Sequence, residues 1–131
     1  MSTRRDARER ALGLCYEAEI RTMSIDATVD ALPMLPDAYA LQLARGVATH
    51  LTDIDELLAK YSEHWTLDRM PAIDRAILRI GVYELGWEPD LPRAVAVSEA
   101  VELAKLYSTK DSGRFVNGLL GRIADDLRPA E

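Results

Sequence analysis

The stretch that decides the fold is residues 72–87, which read AIDRAILRIGVYELGW. Apolar side chains would lie on almost every side of a helix built from it, and Pro71 and Pro89 bracket it. Proline suits the first turn of a helix and ends a helix that reaches it. Because a helix without a wide polar face is usually buried on several sides, we expect this helix to be central.

Helical spacing of apolar residues continues before and after this stretch. No alternating strand pattern competes with it, so the sequence predicts a single all-α domain over 1–131 with six or seven helices. The first predicted helix begins near Thr3 or Arg4, and a second runs to Leu32 from a cap at Ser24 or Asp26. Residues 38–61 form one long helix or two short ones, and 95–107 form another. The last predicted helix extends to Leu127 from a cap at Thr109 or Asp111.

Length and composition limit the class of protein. A chain of 131 residues fits one domain. Cys15 is the only cysteine, so one chain cannot form a disulfide or a cysteine-based zinc site. No apolar signal core follows the N-terminal arginines, and no apolar run approaches the roughly 20 residues of a membrane span. We expect a cytoplasmic protein without a membrane partner.

The sequence carries no recognisable catalytic or cofactor motif. His50 and His64 are the only histidines, and no serine has the strand-turn-helix context of a nucleophile. The glycines form no phosphate-binding loop. We therefore predict no enzyme activity, no cofactor and no metal. Gly118 and Gly121 in the last helix each cost roughly 1 kcal/mol relative to alanine, which suggests close helix packing there.

Positive charge is concentrated in two segments of an acidic chain. The net charge is −6, yet residues 1–10 carry +2 and residues 105–122 carry +3. These segments either form one positive face in the fold or remain separate as solvated helix ends. Arginines also oppose the positive end of the helix dipole, so those near the N-terminus indicate either a bound polyanion or a solubilising tail.

Several polar and aromatic residues could have either a binding role or a structural role. Tyr16, Tyr61 and Phe115 lie beside basic or helix-terminal segments, where aromatic rings either stack on RNA bases or pack in the core. Asp74 near a helix start suits the helix dipole and is free to meet a partner. Arg75 and Arg79 are one turn apart and cannot pair with each other, so we expect one of them to bridge to the next predicted helix, at Glu99 or Glu102.

Specific motifs are spread along nearly the whole chain. They include RRDARE at 4–9 with Tyr16 and Glu19, Gly46-Val47, WTL at 65–67, DRAILR at 74–79, Pro92, EAVELAK at 99–105 and DSGRFVNGLL at 111–120. In these motifs, most specifically those of the C-terminal half, the chain resembles the NusB family of transcription antitermination factors.

The resemblance implies a fold and a function. The fold is all-helical, two packed bundles of three to four helices, without catalysis. Members of the family bind the boxA element of ribosomal-RNA leader transcripts together with NusE, a small-subunit ribosomal protein. The pair helps to load antitermination factors on RNA polymerase.

The resemblance also assigns roles to residues. Two groups follow: RNA-binding residues Arg4, Arg5, Arg8, Tyr16, Tyr61, Lys110, Arg114 and Phe115, and protein-partner residues Asp74, Asp111 and Ser112. In this assignment the two basic segments converge, the arginines supply salt-dependent affinity for phosphate, and the aromatic rings stack on bases. The aspartates accept hydrogen bonds or salt bridges from a basic ribosomal protein.

The chain departs from the family pattern in two places, and alternatives stay open. Asp6 interrupts the arginine run, and the tail after Ile123 is acidic. Some relatives form homodimers, so the sequence leaves open whether this chain is a monomer or a homodimer. One alternative function is a protein-protein adaptor in which NusE carries most of the RNA contact. Another is a detached RNA-docking domain of a ribosomal-RNA methyltransferase.

Overall fold

The computed structural model describes residues 3–63 and 65–129, and within them it contains seven α-helices, one 3-10 helix and no strand. This confirms the all-α prediction. The elements are α1 (Arg4–Ile20), α2 (Ile25–Asp30), α3 (Ala38–Thr49), α4 (Leu51–Tyr61), the 3-10 helix Leu67–Arg69, α5 (Ala72–Trp87), α6 (Arg93–Tyr107) and α7 (Lys110–Leu127).

Side-chain caps decide where several helices begin. The Thr3 hydroxyl accepts a hydrogen bond from the Asp6 amide at 3.0 Å, and the Asp6 carboxylate accepts one from the Thr3 amide at 3.1 Å. This capping box satisfies donors at the helix start that would otherwise lack partners. At the starts of α2 and α7, the Ser24 and Thr109 hydroxyls accept hydrogen bonds from the Ala27 and Ser112 amides. The predicted 38–61 segment is two helices that meet at His50.

Helix α5 lies at the centre of the molecule, as its sequence predicts. It contacts α1, α3, α4, α6 and α7; α1, α2 and α3 contact one another, and α7 contacts both α4 and α6. Helices α1 to α3 therefore form one small bundle, α4, α6 and α7 contribute to a second, and α5 is shared between them. The largest fully buried apolar side chains are Leu14, Leu43, Ile54, Leu58, Ile77, Leu78, Ile80, Leu119, Leu120, Ile123 and Val29.

Close helix approach occurs at glycines other than those the sequence suggested. A Cβ on Gly46 of α3 would stand 2.2 Å from the Tyr83 ring, and one on Gly81 of α5 would stand 2.6 Å from Leu120. A Cβ on Gly121 would meet nothing within 4 Å, and one on Gly118 would reach only Arg122, at 3.7 Å. The suggestion of close packing at Gly118 and Gly121 is therefore wrong; the tight contacts belong to α5.

Candidate functional site

Arg8 is buried, which corrects the expectation that it faces solvent and binds phosphate. It forms a forked ion pair with Glu84 of α5, with Nε to Oε1 and Nη2 to Oε2 both at 2.9 Å. Tyr39 of α3 donates its hydroxyl to the same carboxylate. The Arg8 and Glu84 side chains are only 4% and 1% exposed. Arg8 is therefore a structural cation that joins α1 to α5.

Arg5 also pairs with an acidic residue of this chain. Its Nη2 lies 2.8 Å from Glu99 Oε2, and the second carboxylate oxygen of Glu99 accepts from Arg8 Nη1 at 3.2 Å. The hydrogen bond from Arg5 is the largest cause that lowers the pKa of Glu99 from its ordinary value. Glu99 is thus shared by two arginines of α1.

Two of the arginines of α1, Arg5 and Arg8, are neutralised by carboxylates of this chain and not by an external polyanion. Glu84 and Glu99 neutralise Arg8 and Arg5 from neighbouring helices. Arg4 lies over the Tyr39 ring, with its guanidinium carbon 4.4 Å from the ring centroid, a cation-π contact. Arg4, Arg5 and Arg8 thus each have a partner within the chain.

The two arginines of α5 bridge to helices other than the predicted one. Arg75 pairs with Glu19 of α1 and also donates to the Leu67 and Met70 carbonyls. Arg79 forms a forked pair with Asp55 of α4, with both N···O distances at 2.9 Å. The expected bridge to Glu99 or Glu102 is therefore wrong, because α5 presents its arginines to α1 and α4 and not to α6.

A first surface cavity of about 420 Å³ lies between α1, α5 and the end of α6. Tyr16 and Tyr107 line it and are 39% and 50% exposed, so both rings face solvent. Ile73, Leu12, Gly13 and Glu9 complete the lining. Desolvation, followed by the nearby Glu9 carboxylate, raises the pKa of Tyr107. The cavity thus offers two aromatic surfaces beside one carboxylate.

A second cavity of about 550 Å³ lies between the start of α5, the start of α7 and the segment before the 3-10 helix. The Trp65 and Phe115 rings line it with centroids 6.2 Å apart and planes tilted by 39°. Trp65 is 46% exposed. Polar groups of Asp74, Asp111, Ser112, Ser108 and Thr109 line the rest.

Asp74 is buried in this second cavity and only half satisfied. Its Oδ2 accepts a hydrogen bond from the Ser112 hydroxyl at 2.8 Å, and the Ser108 hydroxyl donates to Ser112 at 2.9 Å. No described residue donates to Asp74 Oδ1, although this atom is buried. A buried carboxylate oxygen without a donor is costly. Asp74, expected to be free to meet a partner, is therefore buried, and its second oxygen retains the capacity to accept a donor.

The two cavities adjoin. Ile73 lines the first cavity, and the next residue, Asp74, lines the second. Likewise, Tyr107 lines the first cavity and the next residue, Ser108, lines the second. One face of the molecule thus carries Tyr16, Tyr107, Trp65 and Phe115, the aromatic face. Lys110 and Arg114 precede Asp111 and Phe115 in α7 and are exposed. The Asp111 carboxylate is 4.0 Å from Arg114, at the limit of an ion pair.

Tyr61 lies apart from the aromatic face. It ends α4 beside the second half of α7, where its carbonyl accepts from Arg122 at 3.2 Å. A hydrogen bond with Asp126 raises the pKa of its hydroxyl, and Lys60 lies 5.1 Å from its ring centroid. Tyr16 and Phe115 thus line the first and the second cavity, whereas Tyr61 lines neither and lies in a different environment.

The sequence reasoning missed two residues of the aromatic face, Trp65 and Tyr107. Trp65 lies outside the regular helices, so no apolar stripe of a helix explains it. Tyr107 is the last residue of α6, next to the exposed Leu106. A large aromatic residue outside a helix or at a helix end is the signal that could have found both.

The described part of the chain holds neither a membrane-spanning helix nor a cluster of metal ligands. Its helices include none that is long and apolar enough to span a membrane. In residues 3–63 and 65–129, no three His, Cys, Asp or Glu side chains are grouped as metal ligands would be. His64, one of the two histidines considered from the sequence, lies outside the described residues.

The fold and the two cavities define an all-α protein in which aromatic side chains line the surface cavities. The model of the NusB family matches residues 5–125, and the chain belongs to this family. A transcription antitermination protein NusB of Salinispora arenicola is 49% identical over 132 residues, covering 95% of this chain and 97% of that protein. One of Clavibacter sepedonicus is 50% identical with the same coverage.

Solved structures give the same result for the fold. T. maritima NusB superposes with a TM-score of 0.85 at 34% identity, covering 95% of this chain and 92% of that one. A chain in the crystal structure of antitermination factors NusB and NusE in complex with dsRNA gives a TM-score of 0.78 at 28% identity, covering 94% and 96%. The predicted NusB-like fold is thereby confirmed.

Proposed function

We propose that this chain is a transcription antitermination factor that binds boxA RNA of ribosomal-RNA leader transcripts together with NusE. The observation that carries the proposal is the family match over residues 5–125. The structural similarity to a chain in the crystal structure of NusB and NusE in complex with dsRNA also supports it. As in the family, the pair would then help to load the antitermination complex on RNA polymerase.

The aromatic face is the proposed RNA surface. Rings of Tyr16, Tyr107, Trp65 and Phe115 are available for stacking, which contributes roughly 1–3 kcal/mol per base. The exposed cations Arg4, Arg5, Lys110 and Arg114 would meet phosphates. Arg8 is not part of this set because it is buried, and Tyr61 is not because it lies beside the second half of α7.

The protein-partner surface is the proposed role of Asp74, Asp111 and Ser112. Asp111 is exposed and can form an ion pair with a basic protein. Asp74 has a buried oxygen that no described residue satisfies, and a donor from a partner that enters the second cavity would satisfy it. Ser112 orients the Asp74 carboxylate through its hydroxyl.

Binding of fluorescent boxA RNA, measured with the chain, with NusE and with both, tests the proposal. We expect the mixture to bind more tightly than either protein alone, and Tyr16→Ala and Phe115→Ala each to weaken binding about 5- to 150-fold, the equivalent of one lost stacking contact. Met34→Ala is the control, since Met34 is exposed in the α2–α3 connection. Absence of a complex at low salt with both proteins would refute the proposal.

A second candidate, an adaptor in which NusE carries most of the RNA contact, is favoured by one observation. Arg5 and Arg8 are already occupied by carboxylates of this chain. This function predicts that Arg4→Ala/Arg5→Ala leaves assembly with NusE and RNA unchanged, while Asp111→Lys disrupts it. Asp74→Asn is the appropriate change at the buried position, because a charge reversal there would report on folding.

A further inference from the structure

We propose that Glu99 competes with RNA phosphate for Arg5 and thereby lowers the RNA affinity of the free chain. The inference rests on the proposed RNA-binding function. It assigns Glu99, a residue of α6 outside both cavities of the aromatic face, the role of an internal competitor that sets affinity.

The geometry of the pair makes Arg5 the mobile member and Glu99 the fixed one. The Arg5 side chain is 59% exposed, whereas that of Glu99 is 15% exposed. Glu99 Oε1 is also held by Arg8 Nη1 at 3.2 Å, and Arg8 is itself locked by Glu84. The Arg5 guanidinium can therefore swing away to a ligand, while the Glu99 carboxylate cannot follow it.

A phosphate group that binds Arg5 must consequently replace an existing partner. Arg5 Nη2 and Nε both donate to Glu99, at 2.8 and 3.4 Å. Breaking these contacts offsets part of the free energy that the new contact releases. Because Arg5 lowers the pKa of Glu99, the competing carboxylate stays ionised at neutral pH.

Replacing Glu99 with glutamine removes the competitor without removing the support of Arg8. The amide oxygen of glutamine can still accept the Arg8 hydrogen bond, and Glu84 remains as the counter-ion of Arg8. In the native chain the two positive charges of Arg5 and Arg8 are balanced by the two negative charges of Glu84 and Glu99. Glu99→Gln therefore leaves one positive charge uncompensated, and it lies on the exposed side chain of Arg5.

The test is titration of fluorescent boxA RNA into the full chain at several salt concentrations, with and without NusE. We expect Glu99→Gln to tighten RNA binding by the chain alone about two- to fivefold, the range of an exposed ion pair. The slope of log affinity against log salt should steepen by about 0.7, which is one additional phosphate contact on a single strand.

Two variants separate this mechanism from a general charge effect. Glu102→Gln removes the same charge one turn away in α6; Glu102 pairs with Lys105 at 3.6 Å and acts on Arg5 only through a coulombic interaction weaker than that of Glu99, so this change should alter affinity less. In an Arg5→Ala background, Glu99→Gln should lose its effect. Urea unfolding of each variant confirms that all are folded under the binding conditions.

The outcomes distinguish this inference from the proposed function. If the wild-type chain binds RNA with NusE but Glu99→Gln does no better than Glu102→Gln, the competition model is wrong and the proposed function stands. The same holds if the gain persists without Arg5, or if Glu99→Gln weakens binding. If neither the wild type nor Glu99→Gln binds RNA with or without NusE, both proposals fail.

Discussion

Arg8 of α1 and Glu84 of α5 form a buried, forked ion pair at the junction of the two helical bundles. Every partner of this pair belongs to a different helix: Tyr39 to α3 and Glu99 to α6. Charges this deeply buried are tolerated only when they are paired and hydrogen bonded. The network therefore fixes the position of α1, which carries Tyr16, relative to α3, α5 and α6.

The Arg8 and Arg5 pairs allow a direct comparison of buried and exposed charge. We expect Arg8→Ala to lower the free energy of unfolding by about 3–5 kcal/mol, because Glu84 is left buried without its counter-ion. Arg5→Ala should lower the free energy of unfolding far less, because that side chain is mostly exposed and solvent screens its ion pair. Urea unfolding monitored by circular dichroism gives both values, and equal losses would contradict the distinction.

Two glycines within helices should respond in opposite directions to alanine. Gly13→Ala should stabilise the protein by about 0.5–1 kcal/mol, because a Cβ at this position would meet nothing within 4 Å and alanine favours helix. Gly46→Ala should destabilise it by about 1–3 kcal/mol, because the new Cβ would displace the Tyr83 ring. Thermal unfolding of the two variants measures the contrast. A stabilised Gly46→Ala would show that the ring can move freely.

Ser112 should matter to stability through Asp74. Removal of its hydroxyl by Ser112→Ala leaves both oxygens of a buried carboxylate without a donor, and we expect a cost of about 1–3 kcal/mol. Ser98→Ala is the control, since that hydroxyl is exposed and bonds only a carbonyl of its own helix. In an Asp74→Ala background the cost of Ser112→Ala should largely vanish. An undiminished cost there would place the role of Ser112 elsewhere.

The Glu99 ion pairs should make part of the stability depend on pH. The pKa of Glu99 is lowered in the folded chain, so its contribution is present above the ordinary value of 4.5 and is lost as the pH falls through the folded value. The difference in free energy of unfolding between wild type and Glu99→Gln should therefore shrink below pH 4.5. Because Arg5 is the main cause of the shift, the shrinkage should be smaller in an Arg5→Ala background.

Local patterns in the sequence predicted the helices well, because helix formation depends on spacings and caps that lie within a few residues. Ser24 and Thr109 were among the predicted caps, and each makes the expected hydrogen bond; the first helix begins at Arg4, near the predicted start. The central position of 72–87 followed from its apolar residues on all sides. The motifs also placed the chain in its family before any contact was known.

Partners of charged side chains could not be predicted in this way. The sequence analysis expected Arg75 or Arg79 to pair with Glu99 or Glu102 of α6. In the structure Arg75 pairs with Glu19 and Arg79 with Asp55, whereas Glu99 pairs with Arg5 and Arg8 of α1. An ion pair depends on which helix faces meet, and this is set by packing between residues far apart in the chain.

The sequence by itself determined that this protein is helical, that α5 is its centre and that it belongs among the NusB proteins. Only the tertiary structure decided that Arg8 is buried, that Asp74 is half satisfied, and that Trp65 and Tyr107 join Tyr16 and Phe115 on one face. The reason is physical: periodicity fixes which side of a helix is apolar, but burial and pairing of a polar group depend on the neighbours that packing brings to it.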